Sequence, residues 1–414
     1  MDSFKESIEM IVSFIKWLLI AIVTGIFLGL IGTLFHELLE YANTARSAHK
    51  WLLFLLPLAG IVIVALYHLS GIEEPKGTNL LIDTIHEKGS LPWVMAPLIF
   101  ISTILTHLFG GSAGREGAVL QLGGSLASQI GKFLHLDKDD MHMITMCGMS
   151  AAFAALFGTP IAAAIFSLEV ISVGSMYYSA LVPCAVSSIT ASWISTLLGT
   201  PSSSYDIAGI PTMDISYFFA VAILSSLVAF LSVFFCFLLH KSSHLFKKYF
   251  ENGYIRIIAG SLFIIALTFM LQGWDYLGAG GNNIIHATQG KAEPLAFLLK
   301  MVFTAITLGC GFKGGEIVPS FFVGATFGCV VGPLLNLDPS FSAAIGMTAM
   351  FAGVTNCPLA TLVISIEMFG MEGALFYLLT SAISYMLSGY HGLYTSQKII
   401  YSKTRTKFID RQTN

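Results

Sequence analysis

The apolar segments of this 414-residue chain come in two lengths, and this alternation limits the folds that it can adopt. A helix needs about 20 apolar residues to cross a bilayer. Segments of about that length lie at 8–40, 51–70, 91–110, 178–198, 216–240, 255–272, 293–310 and 374–390. Shorter apolar pieces, interrupted by glycine and proline, lie at 117–131, 141–157, 160–172, 319–335, 341–354 and 358–369. Since interrupted helices at membrane depth need protein or a cavity to cover their backbone, the pattern favours an all-α transporter or channel.

Composition places these segments in a membrane protein. Charged residues make up 11% of the chain and hydrophobic residues 55%, whereas soluble domains carry about 25% charged residues. The amino-terminal segment holds Asp2, Glu6 and Glu9, a long apolar run and no cleavage site, so it predicts a first membrane helix rather than a signal peptide. We therefore expect a multi-pass protein in the lipid bilayer of the cell (plasma) membrane.

Several other function classes find no support in the sequence. A net charge of −3 gives no basic field for nucleic acid. The six cysteines stand singly, without metal-ligand spacing or a disulfide framework. His36 and Glu37 lack the second histidine of a zinc-protease motif, and the chain has no phosphate-binding loop. We predict neither a cofactor nor a metal.

The two halves of the chain repeat three motifs in the same order. GTNLLIDTIHEKG at 77–89 corresponds to GNNIIHATQG at 281–290, and GREGA at 114–118 corresponds to GGEIV at 314–318. TPIAAAIFSLE at 159–169 corresponds to CPLATLVISIE at 357–367, with nine positions from proline to glutamate in each copy. Internal repeats are typical of transporters whose substrate site lies at the midplane, between helix ends from both halves.

The distribution of basic residues predicts the orientation of these halves. The polar stretch 199–216 at the midpoint has no Lys or Arg, whereas basic residues follow the helix near 216–240 and fill the tail. The positive-inside rule then places the tail in the cytoplasm and the midpoint loop outside, so the halves are inverted. We expect a first membrane repeat at 1–207, a second, inverted repeat at 208–400 and a basic cytoplasmic tail at 401–414.

Glu116 is the first candidate functional residue. It opens a predicted helix, and the backbone N–H groups of Gly117, Ala118 and Val119 would face the midplane. A helix amino end attracts anions, so a carboxylate tethered there imitates a bound anion and can leave when it is protonated. The structural alternative is a glutamate that caps its own helix, paired to Arg115. Intramembrane acids are nevertheless functional by default.

Glu316 is the counterpart of Glu116 in the second half. It also precedes an apolar helix, whose donors at Ile317, Val318 and Ser320 could meet the same ion. The alternative is a structural cap facing polar protein. Two acids at opposed helix starts would repel if both were charged, so we expect one of them to hold a proton. Such a pair can relay a proton.

Three further polar residues are candidate anion ligands. Thr78 and Asn79 lie in a turn before a short helix, where an ordinary N-cap is an equally good interpretation. Tyr394 precedes the expected last helix, and its hydroxyl is a possible donor, although tyrosine is common at membrane interfaces. Glu169 and Glu367 end apolar segments, and we expect both to be polar anchors at the interface.

The motifs GREG with LQLGG, GTPIAAAIFSLE, GGEIVPSFF and GLYTSQ occur in this order over essentially the whole chain. In these motifs the chain resembles the CLC family of anion channels and anion/proton antiporters. The resemblance implies a homodimer of subunits, each with two inverted-topology repeats and its own anion pathway. It places the gating glutamate at Glu116, the tyrosine anion ligand at Tyr394 and the serine position of the first anion loop at Thr78.

Departures from the family pattern indicate which branch of the family the chain resembles. GREGA has Ala118 in place of proline, and the inner proton-transfer glutamate of the well-studied chloride/proton exchangers is Val170 here. The third motif, GxFxP in the family, reads GEIVP and contains Glu316. A missing inner glutamate and an added central one are similar to the fluoride/proton antiporter branch. That branch has Asn or Met at the position of Thr78 and a Thr at that of Val318, and a hydroxyl at 78 is nearer to chloride chemistry.

The sequence therefore leads to a halide/proton antiporter, with fluoride as the first expected substrate and chloride as the rival. A passive chloride channel gated by Glu116 is the alternative, because Val170 removes the usual inner proton carrier. A membrane-embedded enzyme that uses Glu116 and Glu316 as an acid/base pair is the third hypothesis, although no nucleophile or metal cluster accompanies them.

Overall fold

A computed structural model describes residues 2–72, 76–87 and 91–414 of the chain. About 73% of the described residues are helical. The helices of the described residues, numbered in chain order, are α1 (Asp2–Ala48), α2 (Leu56–Leu69), α3 (Thr78–His86), α4 (Met95–Leu108), α5 (Glu116–Phe133), α6 (Lys138–Phe157), α7 (Pro160–Glu169), α8 (Leu181–Leu197), α9 (Ile215–Tyr249), α10 (Gly253–Met270), α11 (Gly281–Thr288), α12 (Ala296–Cys310), α13 (Ile317–Val331), α14 (Pro339–Thr355), α15 (Pro358–Phe369) and α16 (Ala374–Leu387). The strands are β1 (Ser172–Val173), β2 (Lys398–Tyr401) and β3 (Phe408–Gln412).

The helix lengths fit a chain that crosses a membrane several times. Seven helical segments of the described ranges are long and apolar enough to cross a bilayer. They are Lys5–Ala48, Lys50–Leu69, Lys138–Phe157, Tyr178–Leu197, Ile215–Tyr249, Gly253–Met270 and Ile317–Leu335. The chain is therefore an all-α, multi-pass integral membrane protein, as predicted.

Three segments predicted to be full-length spans are shorter in the structure. The segments 91–110, 293–310 and 374–390 contain α4, α12 and α16, which have only 14, 15 and 14 residues. Each of these helices ends within two residues of a glycine with positive φ: Gly110, Gly311 or Gly389. Because residues with a side chain avoid this conformation, the glycines permit turns that end the helices early.

The two halves repeat the same order of helices and pack against each other. Within each half, two helices lie side by side after the glycine-rich motif, α5 with α6 and α13 with α14. The shorter helices α7 and α15 pack together across the halves. The core is continuous between them, since the rings of Phe166 and Phe351 lie 5.7 Å apart. The predicted repeat architecture is confirmed.

The segment between the halves, 199–214, has no helix or strand and runs across both repeats. Ser203 N–H donates to the Phe157 carbonyl in the first half at 2.8 Å, and Tyr205 N–H donates to the Met368 carbonyl in the second half at 2.8 Å. The polar midpoint stretch is thus a loop, as the sequence predicts, and it is hydrogen-bonded to both halves.

The chain after Tyr394 forms strands, so the expected last helix is wrong. β2 pairs in parallel with β1, which follows α7, and antiparallel with β3. The sequence Lys-Ile-Ile-Tyr of β2 contains two β-branched residues, which favour a strand when neighbouring strands supply pairing. The three-stranded sheet joins the carboxyl-terminal segment to the first half of the chain.

Candidate anion-binding site

The two glycine-rich motifs meet backbone to backbone. Gly114 N–H donates to the Gly315 carbonyl at 2.6 Å, and Gly315 N–H donates to the Gly114 carbonyl at 2.7 Å. A Cβ at Gly315 would lie 2.5 Å from the Gly117 nitrogen, and a Cβ at Gly114 would lie 2.6 Å from Oε2 of Glu116. Only glycine permits this approach, which brings the first turns of α5 and α13 to one point.

The Glu116 carboxylate sits at the start of the opposite helix. Its side chain is fully buried, and Oε2 accepts hydrogen bonds from Arg115 N–H at 3.0 Å and from Val318 N–H of α13 at 3.2 Å. Oε1 has no hydrogen-bond partner among the described residues. Since the amino end of a helix binds anions through such N–H groups, the carboxylate occupies a position suited to an anion.

The backbone N–H groups that the sequence predicts as anion donors, at the starts of α5 and α13, divide into two groups. Val119 N–H donates to the Arg115 carbonyl at 2.9 Å, and Ser320 N–H donates to the Glu316 carbonyl at 3.0 Å. These two predicted donors are therefore committed within their own helices, and the predictions for them were wrong. The remaining predicted donors, those of the first helical turns, belong to Gly117, Ala118, Ile317 and Val318. Among these four, Val318 donates to Glu116, while the others make no hydrogen bond to the rest of the described chain.

Glu316 and Thr78 face the same point beside α5. A Cβ at Gly117 would lie 3.1 Å from Oε2 of Glu316 and 3.3 Å from Oγ1 of Thr78. Oε2 of Glu316 has no hydrogen-bond partner among the described residues. Thr78 Oγ1 donates weakly to the Gly117 carbonyl at 3.4 Å and accepts from Gln121 Nε2 at 3.4 Å. The predicted loop hydroxyl and the second acid are thus brought together.

A cavity of about 160 Å³ lies in front of these groups. Its lining includes Thr78, Asn79, Glu316, Lys313 and Tyr394. The Tyr394 hydroxyl is buried and has no hydrogen-bond partner among the described residues, so it is available to an ion in the cavity. Asn79 also holds the segment that carries Tyr394, because its Oδ1 accepts the N–H of Ser396 at 2.9 Å.

A larger cavity of about 810 Å³ lies on the other side of Glu116. Val318 and Arg115 line the larger cavity but not the smaller one, whereas Glu316 lines only the smaller one. Glu116 lines neither cavity, and its carboxylate bonds to the backbone of Val318. The fully buried carboxylate therefore lies between the two cavities.

Arg115 forms an ion pair with Glu116, as the alternative of a structural cap expected, but it also binds two other side chains. Its Nη1 lies 3.0 Å from His36 Nδ1 and 3.4 Å from Glu40 Oε1, both on α1. Its Nε is 3.7 Å from Oε1 of Glu116, within the distance of an ion pair but beyond that of a hydrogen bond. The guanidinium is thus held by α1 and faces the larger cavity, which leaves the Glu116 carboxylate without a side-chain hydrogen bond.

Glu169 and Glu367 form a pair of reciprocal helix caps that was not predicted from the sequence. Glu169 at the end of α7 accepts the N–H groups of Leu359 and Ala360 at the start of α15, at 3.1 and 2.8 Å. Glu367 at the end of α15 accepts the N–H groups of Ile161 and Ala162 at the start of α7, at 3.0 and 2.8 Å. The equal spacing from proline to glutamate in both motifs was the available signal. These acids are inter-helix caps rather than interface anchors.

A family model described as "Voltage gated chloride channel" matches residues 69–389. The chain therefore belongs to the voltage-gated chloride channel (CLC) family. Since this family and the relatives below are ion-transport proteins, the hypothesis of a membrane enzyme is not supported.

Individual relatives match over most of their length. The chain is 37% identical to a "Chloride/fluoride channel protein" of Pseudomonas syringae pv. tomato, over 96% of this chain and 90% of that protein. It is 25% identical to the "H(+)/Cl(-) exchange transporter ClcA" of Vibrio cholerae, over 85% of this chain and 81% of that one. A crystal structure of a CLC-type fluoride/proton antiporter superposes with a TM-score of 0.90 at 32% identity, over 93% of this chain and 98% of the other.

Proposed function

We propose that this protein is a halide/proton antiporter and that fluoride is its preferred halide. The observation that carries the proposal is the Glu116 carboxylate seated on the Val318 N–H, between two cavities. A protonated Glu116 no longer carries the charge that this helix start attracts, so a halide replaces it there. A deprotonated Glu116 displaces the halide, and alternation between the two states couples opposite movements of halide and proton.

Glu316 supplies the proton on the side of the smaller cavity. Its Oε2 is unbonded and faces Gly117 beside Thr78, while Val170 carries no ionisable group. Glu169, which directly precedes Val170 in the first half, is engaged with two backbone N–H groups of α15. Glu316 is therefore the acid that combines access to the cavity with a place beside the first turn of α5. Tyr394, Thr78 and the unbonded backbone donors are the halide ligands in this scheme.

Fluoride is favoured over chloride by two relatives. One curated relative is named for both chloride and fluoride, and a solved structure of high similarity is a fluoride/proton antiporter. The added acid Glu316 in GEIVP separates this chain from the GxFxP pattern of chloride exchangers. Thr78 and Val318 are the residues whose substitution should shift selectivity, because both border the proposed ion path.

We further propose a homodimer in the plasma membrane, with the carboxyl terminus in the cytoplasm. Family membership supports the homodimer, and the basic residues near the end of α9 and at 403–411 support the orientation. In this orientation the larger cavity, lined by the midpoint residues 201–203, opens outside. The smaller cavity, lined by Tyr394 and Lys313, opens to the cytoplasm. The inverted halves at 1–207 and 208–400 then each contribute one helix start to the site.

The deciding experiment records halide efflux and external pH together from proteoliposomes loaded with fluoride or chloride. We expect proton uptake that is coupled to fluoride efflux and much weaker with chloride. Glu316→Gln should abolish the coupling, whereas Glu372→Gln, at an exposed acid outside both cavities, should behave as wild type. Equal coupling with both halides would refute the fluoride preference, and coupling that survives Glu316→Gln would refute the relay.

A passive chloride channel is the second candidate, and Val170 is the observation that favours it. No acid stands at the position where chloride/proton exchangers carry their inner glutamate. In this case, halide flux would neither drive nor follow proton movement in the same proteoliposomes. Glu316 would then be a structural cap of α13.

A further inference from the structure

The segment that carries Tyr394 has little regular structure of its own. Residues 388–397 lie between α16 and β2 and contain no helix or strand. Leu393 N–H donates to the Val354 carbonyl at 2.9 Å, and Ser396 N–H donates to Oδ1 of Asn79 at 2.9 Å. Such a segment depends on its neighbours to fix the position of the tyrosine ring.

The carboxyl-terminal strand supplies a large part of that support. Thr413 follows β3, is 6% exposed, and donates from Oγ1 to the carbonyl oxygen of Tyr394 itself. Its N–H donates to the Gln397 carbonyl at 3.1 Å, and the N–H of Asn414 donates to the Tyr390 carbonyl at 2.8 Å. The end of the hairpin formed by β2 and β3 therefore bonds to residues before, at and after Tyr394.

The base of the same hairpin is fixed to three other parts of the fold. Gln397 is fully buried, and its Nε2 donates to the Val170 carbonyl at 3.0 Å and the Thr355 carbonyl at 2.8 Å. Lys403 Nζ donates to Oδ1 of Asn356 and to the Tyr385 carbonyl at the end of α16. Since α14, α16 and the segment after α7 all hold the hairpin, the hairpin is a rigid support rather than a loose tail.

We propose that the hairpin of β2 and β3 is a positioning element for the anion site, and that Thr413 acts as a positioning residue by holding the backbone of Tyr394. The inference rests on the proposed role of Tyr394 as a halide ligand. The hairpin extends the site beyond the family motifs, because it lies after GLYTSQ and contains none of their residues. Its effect falls on halide affinity and leaves proton transfer by Glu116 and Glu316 unchanged.

The test compares Thr413→Val with Thr413→Ser, which keeps the hydroxyl, and with Thr406→Val, at an exposed threonine between β2 and β3. Halide affinity is measured by calorimetric titration of the detergent-solubilised protein with fluoride and with chloride. For Thr413→Val we expect halide binding to weaken about fivefold, which corresponds to about 1 kcal/mol. The two control variants should bind as wild type, and protons moved per halide should be unchanged in proteoliposomes.

Tyr394→Phe, alone and combined with Thr413→Val, shows whether Thr413 acts through Tyr394. We expect Tyr394→Phe to weaken binding and Thr413→Val to add nothing on that background. Unchanged affinity in Tyr394→Phe would refute the proposed ligand and the positioning role together. Weakened binding in Tyr394→Phe with wild-type affinity in Thr413→Val would overturn the positioning role alone.

A measurement on the unmodified protein keeps the inference testable if Thr413→Val fails to fold. Coupling between two sites is reciprocal, so saturating halide should slow amide hydrogen exchange in residues 408–414. Exposed residues on the loop side of the hairpin, such as Thr404 and Thr406, should exchange at the same rate with and without halide. Equal exchange at 408–414 with and without halide would overturn the inference.

Discussion

At the scale of single residues, the site is a competition between one carboxylate and an anion for the same donor. Glu116 is fully buried, and its Oε2 occupies the Val318 N–H. The hydrogen bonds that hold it come from backbone N–H groups, since Arg115 is engaged by His36 and Glu40. A change in the charge of Glu116 therefore acts directly on the donor that a halide would use.

Glu116→Gln should separate halide movement from proton movement. The amide keeps an oxygen that can accept from Val318 N–H, but it cannot bind and release the transported proton. We expect halide efflux to persist with little dependence on pH and without proton uptake in proteoliposomes. Glu40→Gln is the control, because Glu40 bonds to Arg115 and not to Val318. Proton uptake that still follows halide efflux in Glu116→Gln would rule out Glu116 as the residue that couples the two movements.

Gly315→Ala should destabilise the protein because its Cβ has no space. The added atom would lie 2.5 Å from the Gly117 nitrogen, so the two helix starts must separate. We expect a loss of about 1–3 kcal/mol in the free energy of unfolding, as in other overpacked sites, together with impaired transport. Gly281→Ala is the matched control, since a Cβ there meets nothing within 4 Å. Equal thermal midpoints of the two variants in detergent would contradict the packing argument.

At the scale of helices, the repeats are held by carboxylates that cross from one half to the other. Each of α7 and α15 has a glutamate in its last turn that accepts the first N–H groups of the other helix. The start of a helix leaves such N–H groups without partners, and at membrane depth water cannot satisfy them. The reciprocal caps thus satisfy both helices and fix the halves relative to each other.

Glu169→Gln should lower thermal stability more than Glu367→Gln. Both variants replace a charge-assisted hydrogen bond by a neutral one, and we expect a loss of about 2 kcal/mol for the more buried Glu169. Glu169 is 6% exposed, whereas Glu367 is partly exposed. Thermal midpoints in detergent, with Glu372→Gln as an exposed control, test the order. A larger loss of thermal stability in Glu367→Gln than in Glu169→Gln would contradict the larger contribution that we assign to the buried Glu169.

At the scale of the whole molecule, the smaller and larger cavities lie on either side of Glu116, and the orientation of the chain decides which of them faces the cytoplasm. The midpoint loop lines the larger cavity, and the segment before β2 lines the smaller one. The six cysteines are all buried, so the wild-type protein offers little background for labelling of exposed thiols. Orientation can therefore be measured with single added cysteines.

Ser204→Cys and Thr406→Cys should label from opposite sides of the membrane. Both positions are exposed, the first in the midpoint loop and the second between β2 and β3. With a membrane-impermeant maleimide on intact cells, we expect labelling of Cys introduced at position 204 only, and labelling at 406 after the membrane is opened. The reverse pattern would invert the proposed orientation and assign the larger cavity to the cytoplasm.

Much of this architecture follows from the sequence. The apolar segments predicted the membrane helices, and the repeated motifs predicted that GREGA and GGEIV would form equivalent helix starts. These features are local, because helix periodicity, glycine conformation and hydrophobic length act over a few neighbouring residues.

The tertiary structure decided which hydrogen-bond donors and acceptors come into contact. The Val318 N–H bonds to Glu116 and the Leu359 N–H bonds to Glu169, although about 200 residues separate each pair in the chain. The end of the chain became a strand hairpin because β1, from the first half, pairs with β2. Helix spacing determines which donors are left free at a helix start, but only the packing of the halves determines which acceptor reaches them. The physical reason is that long-range contacts depend on the arrangement of whole helices, which no local pattern encodes.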